Sequence, residues 1–251
     1  MQEIDDQGMS DAFMACWQAA GVHLDAQVRG GIQSWLKAMP YPPFLEHLSF
    51  RLGNQLFFVR VEDASGKVQG PGNVQGLLSV ARGCQGFACR LPMRKKMFGT
   101  WVPRHPGWGL LDAQTGRPLN PVDFLTSEKI PMTDWERQDF AVQVVRTYLE
   151  NQGFKLLSWQ GNPAVDPAIW FIGHSRRPEW VVVRACSYPQ RVVPRPSRWA
   201  SIATACKTPG AIGHFASVAL TSARQAMGSE NEAVEPLWRG HALQVRFDGL
   251  E

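Results

Sequence analysis

The sequence predicts an α+β protein with an α/β core, in two parts: a mixed α+β region over residues 1–130, then a core of order αβββαββ over residues 131–251. Three observations predict this. The second part opens on a capped amphipathic helix. Apolar runs of strand length follow, separated by Gly, Pro and Asn breaks. A second helical pattern then divides those runs into three and two.

In the first part, Leu24, Val28, Ile32, Trp35, Leu36 and Met39 recur at helical spacing, and Pro40 ends the pattern. The runs 47–52 and 55–61 flank Gly53-Asn54, a tight hairpin turn. Gly70-Pro71-Gly72-Asn73 is a loop without the strand–loop–helix setting and Lys of a phosphate loop. Residues 108–112 and 117–119 flank Thr115-Gly116, a second hairpin.

In the second part, Thr133 and Glu136 form a capping box. Phe140, Ala141, Val144, Val145, Tyr148 and Leu149 make one apolar stripe, and Gly153 is a natural stop, so a helix spans 134–152. Strands are expected at 154–159, 168–172 and 180–186, the second opened by Asp166-Pro167. A helix follows over about 198–207, then strands at 214–221 and 242–247.

At 44% hydrophobic and 19% charged, the 251 residues exclude a disordered tail, a collagen-like repeat or a coiled coil. A chain of this length buries about 70% of its extended surface and needs no staple. Its apolar runs fall short of the ~20 residues that span a bilayer. Met1–Gln7 is acidic and unlike a secretion signal. A folded, soluble, cytoplasmic protein is expected. Five cysteines, odd in number and mostly in apolar surroundings, read as reduced thiols. Cys84-x4-Cys89 has a metal-ligand look, but no second pair follows it, so no metal or other cofactor is expected from the residues alone.

The net charge of +4 is unevenly spread. No acid occurs from Ala64 to Leu111, where Arg94, Lys95 and Lys96 are consecutive and Phe87, Phe98, Trp101 and Trp108 lie nearby. A second acid-free stretch, Trp180 to Ser229, carries Arg184, Arg191, Arg195 and Arg198 with Tyr188, Trp199 and Phe215. Basic side chains neutralise phosphates and aromatic faces stack on bases, so the mixture suits DNA or RNA. A solvated basic face is the plainer reading.

The element order from Thr133 to Phe247, with an acid opening the second strand, resembles the restriction-endonuclease-like, or PD-(D/E)xK, superfamily. In active members a second-strand Asp and a third-strand acid hold a divalent cation that activates water, and a Lys steadies the developing charge. The resemblance assigns Asp166 to the first acid, Val182 to the second and Arg184, eighteen residues beyond Asp166, to the Lys. Valine binds no cation, and Arg holds phosphate without exchanging a proton. Glu179 falls on the opposite strand face from Arg184. The resemblance therefore implies a degenerate centre, with Asp166 and Arg184 as its vestiges. Read without it, Asp166-Pro167 starts a turn and Arg184 is a strand-end surface or ion-pair residue.

The expected function is a nucleic-acid-associated binding or accessory protein that does not cleave, with Arg94, Lys95, Lys96, Arg184, Arg191, Arg195 and Arg198 on phosphate. One alternative is a nuclease using Mg²⁺ held by a migrated acid, Glu136 or Asp134. Another is a protein-interaction module without nucleic acid, whose exposed patch is formed by the ten Trp and the loops around Phe98–Trp108. The sequence also looks like bacterial proteins of mobile elements. His214 and His241 each open a late strand, so their rings could meet.

Overall fold

The computed structural model describes residues 10–37, 47–97, 99–206, 211–224 and 234–251. The chain divides into two compact units, one up to Glu128 and one from Lys129. Among the described residues it is a mixed α+β protein with four α-helices and two mixed sheets. No described helix is long and apolar enough to cross a membrane.

The first unit opens with α1 (Asp11–Asp25), capped where the Ser10 hydroxyl accepts the Phe13 N–H. Phe13, Cys16, Trp17, Ala20 and Leu24 form its buried stripe. Strands β1 (Ser34–Lys37), β2 (Leu48–Leu52) and β3 (Gln55–Asp63) follow, then α2 (Val74–Gly83), β4 (Phe87–Lys95), β5 (Trp101–Pro103) and β6 (Leu111–Asp112). The sheet order is β1-β2-β3-β4-β5, with β6 also on β4. Only the β3–β4 pair is parallel, and α2 makes that crossover.

Two expectations fail here. The spacing over Leu24–Met39 is not one helix. Leu24 closes α1, and Gly30 and Gly31 take φ of 83° and 78°, which end helical winding. The Asp25 carboxylate then accepts the Ile32 N–H at 2.8 Å, and Trp35 and Leu36 continue as a strand. Met39 and Pro40 lie outside the described residues. The Gly70–Asn73 loop does join a strand to a helix, since Asn73 caps α2 through the Gly76 N–H. It still lacks the Lys and Ser/Thr of a phosphate loop.

The second unit runs α3 (Asp134–Asn151), β7 (Lys155–Trp159), β8 (Ile169–Ile172), β9 (Pro178–Ser187), α4 (Trp199–Ala205), β10 (Ile212–Ser222) and β11 (Leu243–Phe247). The capping box at Thr133 and Glu136 is formed. The sheet order is β11-β10-β9-β8-β7, with β9 and β10 parallel and every other pair antiparallel. Strand alternation divides β9 between two cores. Val181 and Val183 pack with Ala141, Val142, Val145 and Leu149 of α3. Trp180 and Val182 pack on the other face with Ile202 of α4, Cys206 and Phe215.

One side of β9 outruns its neighbour. Pairing with β8 ends where the Val181 carbonyl accepts the Ala168 N–H. Beyond that point Val183 and Ala185 turn backbone groups toward an empty edge. Gln138, on the buried face of α3, replaces the missing strand. Its Nε2 donates to the Val183 carbonyl at 2.8 Å, and its Oε1 accepts the Ala185 N–H at 3.2 Å. The α3 helix thus fixes the backbone on both sides of Arg184.

Orphaning a buried backbone group costs about 1–3 kcal/mol. Gln138→Ala is therefore expected to lower unfolding stability by roughly that amount in urea titration, with faster hydrogen exchange at the Ala185 amide.

Candidate functional site

Asp166 lies between β7 and β8, Arg184 on β9 and Arg198 at the start of α4. The Asp166 side chain is only 3% exposed. Both its oxygens are taken by guanidinium groups. Arg184 Nη1 donates to Oδ1 at 2.8 Å and Nη2 to Oδ2 at 2.5 Å, a bidentate pair. Arg198 Nη2 donates to the same Oδ2 at 2.6 Å. Arg184 is anchored again through Nη1 to the Val183 carbonyl at 2.8 Å. Its side chain is 20% exposed, that of Arg198 54%.

Burial alone would push the Asp166 carboxyl up, but hydrogen bonds and charge from Arg184, then Arg198, outweigh it and hold it below the usual carboxylate range. One buried negative charge thus carries two positive ones, and the surplus positive charge faces outward on Arg198.

Packing brings Arg198 there. Trp199 lies 5.0 Å from Trp180 and edge-on to Phe215, which seats α4 on the sheet. The Val193 N–H donates to the Ser217 hydroxyl at 2.8 Å, tying the segment before α4 to β10 beside Arg184. That segment exposes Arg191 and Arg195. Arg195 stacks over Trp199 at 5.2 Å and lies 3.9 Å from the Glu251 carboxylate.

The structure therefore brings Asp166, Arg184 and Arg198 into contact. Arg94, Lys95 and Lys96 belong to the other unit, exposed at the β4–β5 hairpin, with Lys95 Nζ 6.0 Å from the Trp101 ring centroid. Several expected aromatic platforms are closed. Trp101 and Trp108 are buried in the first unit's core, and Phe215 is buried in the second. They complete apolar cores in a chain rich in Trp, which also removes them from an exposed interaction patch. Phe98 lies outside the described residues.

The acids offered as migrated ligands have other partners. Glu136 caps α3 and pairs with buried Arg239 at 2.7 Å, and Asp134 is an exposed partner of Arg137. Glu179 faces away from Arg184, accepting from the Ser175 hydroxyl at 2.6 Å and lying 2.8 Å from His214 Nε2. Burial raises its pKa, but those two bonds lower it further. His214 and His241 do not meet. Antiparallel β11 starts beside Ser222, at the far end of β10 from His214.

These residues do not fit a divalent cation. Val182 is buried, both Asp166 oxygens already accept from arginines, and no group of three ligating side chains occurs among the described residues. The sequence points to Arg198 as a phosphate contact but not as a partner of Asp166, thirty-two positions away, and it does not single out Gln138.

Residues 135–251 match the model of a family described as a domain of unknown function (DUF8840), which covers all but the first residue of α3 and every later element. No curated protein and no solved structure matches the chain.

Two predictions follow from the burial contrast. Arg184→Ala strands a buried carboxylate with one exposed partner and is expected to cost about 3 kcal/mol in chemical denaturation. Arg198→Ala removes a half-exposed partner and is expected to cost at most about 1 kcal/mol. The stabilisation from Asp166 ionisation is whole above the unfolded carboxyl pKa of about 3.9 and disappears as pH falls through its lower folded value. Acid titration of Asp166→Asn should lack that portion of the stability loss below about pH 4.

Proposed function

We propose that the protein is a nucleic-acid-associated binding or accessory protein, built on a restriction-endonuclease-like scaffold whose catalytic centre is degenerate. The observation that carries this reading is the closure of Asp166 by two arginines. The carboxylate that the resemblance assigns to a metal is held by Arg184 and Arg198. A surplus of positive charge is left at a partly exposed position, suited to phosphate oxygens.

The element order and sheet order of the second unit support the scaffold. An opening helix precedes three antiparallel strands, and a fourth lies parallel to the third after a second helix. The acid-free stretch from Trp180 to Ser229 supports the ligand, because Arg191, Arg195 and Arg198 are presented outward from it. Exposed Arg94, Lys95 and Lys96 are candidates for a second contact in the first unit. We place the protein in a bacterial cytoplasm, where its five buried thiols stay reduced.

The test is binding of fluorescent single- and double-stranded DNA and RNA at two salt concentrations with Mn²⁺ present, the products then run on a gel. The expected outcome is binding that weakens steeply with salt and leaves the strands intact. No binding at low salt would overturn the nucleic-acid reading. Mn²⁺-dependent cleavage that disappears in Asp166→Ala would overturn the degenerate centre.

A further inference from the structure

We infer that Arg198 is a metal-independent grip for one phosphodiester of the nucleic-acid backbone, with Asp166 and Arg184 as the buried clamp that positions it. The inference rests on the nucleic-acid reading above and adds to it the clamp that positions Arg198, the single phosphodiester it takes and the independence from divalent cations.

The three side chains have unequal freedom. Arg184 is held at both ends of its fork by Asp166 and again by the Val183 carbonyl, and most of it is covered. Its geometry is fixed by β9, which Gln138 pins on either side. The Arg198 side chain makes one hydrogen bond among the described residues, Nη2 to Asp166 Oδ2, and 54% of it is exposed. A guanidinium carries five N–H donors in a rigid plane. Holding Asp166 through one of them leaves the outer edge of Arg198 open for a second anion.

Spacing favours a phosphate there. Arg184 Nη2 and Arg198 Nη2 touch the same carboxylate oxygen, at 2.5 and 2.6 Å, and so lie within about 5 Å of each other. An anion that reaches Arg198 also enters the field of Arg184. The cluster's net charge of one positive unit matches the single negative charge of a phosphodiester. No acid interrupts the sequence from Trp180 to Ser229; besides Asp166, the carboxylates that pair with this segment among the described residues include Glu179, on His214, and Glu251, 3.9 Å from Arg195.

The same geometry removes the need for a divalent cation. In a site with free carboxylates, phosphate must be bridged by metal, because like charges repel. Here the carboxylate is already neutralised by guanidinium, and the outward charge is fixed at every working pH. Added Mg²⁺ can act only as a competing counterion.

The experiment uses the full chain and the fluorescent oligonucleotide bound most tightly in the salt titration. Arg198→Ala is expected to bind roughly tenfold more weakly, with a salt slope lower by about one, while its melting temperature stays near wild type. Arg198→Lys should keep the wild-type slope with a loss of a few fold, because lysine supplies the charge without the fork. Wild-type affinity should be no higher in Mg²⁺ than in EDTA at matched ionic strength. Inorganic phosphate at that ionic strength should not displace the oligonucleotide. Wild-type slope and affinity in Arg198→Ala would overturn the inference and leave the nucleic-acid reading standing on the other basic residues. So would a requirement for Mg²⁺, and displacement by inorganic phosphate would make this a free-phosphate site instead. No binding by the wild type at low salt would overturn both.

Discussion

A carboxylate as deeply covered as Asp166 is tolerable in a folded protein only when its charge is met by fixed donors. Arg184 meets it with a two-point fork and Arg198 with a third bond. That requirement links three separate parts of the second unit: the connection into β8, the middle of β9 and the start of α4. Moving any one of them leaves a buried charge without its partner. The same bonds take the oxygens that a metal ion would need, so the interaction that stabilises the fold also decides which chemistry the site can perform.

The clamp has its own support. Arg184 can hold Asp166 only if β9 keeps its register past the end of β8, where an unpaired edge would otherwise fray. The Gln138 amide supplies one donor and one acceptor at that edge, and α3 is in turn fixed at its start by the capping box and by Arg239 on Glu136. On the other face, Trp199 against Trp180 seats α4, which sets where Arg198 begins. The outward charge of Arg198 thus depends on two apolar layers and one side-chain amide.

Local signals in the second unit were legible because they are complete in short stretches of sequence. Thr133 and Glu136 announce α3, and alternating apolar runs between Gly and Pro breaks give the strands of the sheet. The first unit was harder to read. The Phe13, Trp17, Ala20 and Leu24 stripe of α1 and the Asn73 cap of α2 are local signals too, but the parallel β3–β4 pairing that α2 connects is set by long-range packing. The false helix over residues 24–39 arose because a helix end and a strand start happened to keep the same spacing across Gly30 and Gly31. At the site, Asp166 and Arg184 stand out only through the family resemblance, by their places at the second and third strands. Their pairing with Arg198 does not, because it is decided by the packing of α4 and not by any pattern along the chain. Aromatic residues were the least legible: sequence alone does not distinguish a Trp that fills a core from one that stacks on a base, and Trp101 and Trp108 fill a core.

The central claim is that Asp166 belongs to arginine and not to metal. Titration of Mn²⁺ into the isotope-labelled protein tests it most directly, by reading paramagnetic broadening of the backbone amide signals around Asp166 and Ala168. No saturable broadening is expected there at Mn²⁺ concentrations that occupy ordinary nuclease centres. Selective, saturable broadening centred on Asp166 would contradict it, since a cation could bind that carboxylate only by displacing Arg184 and Arg198.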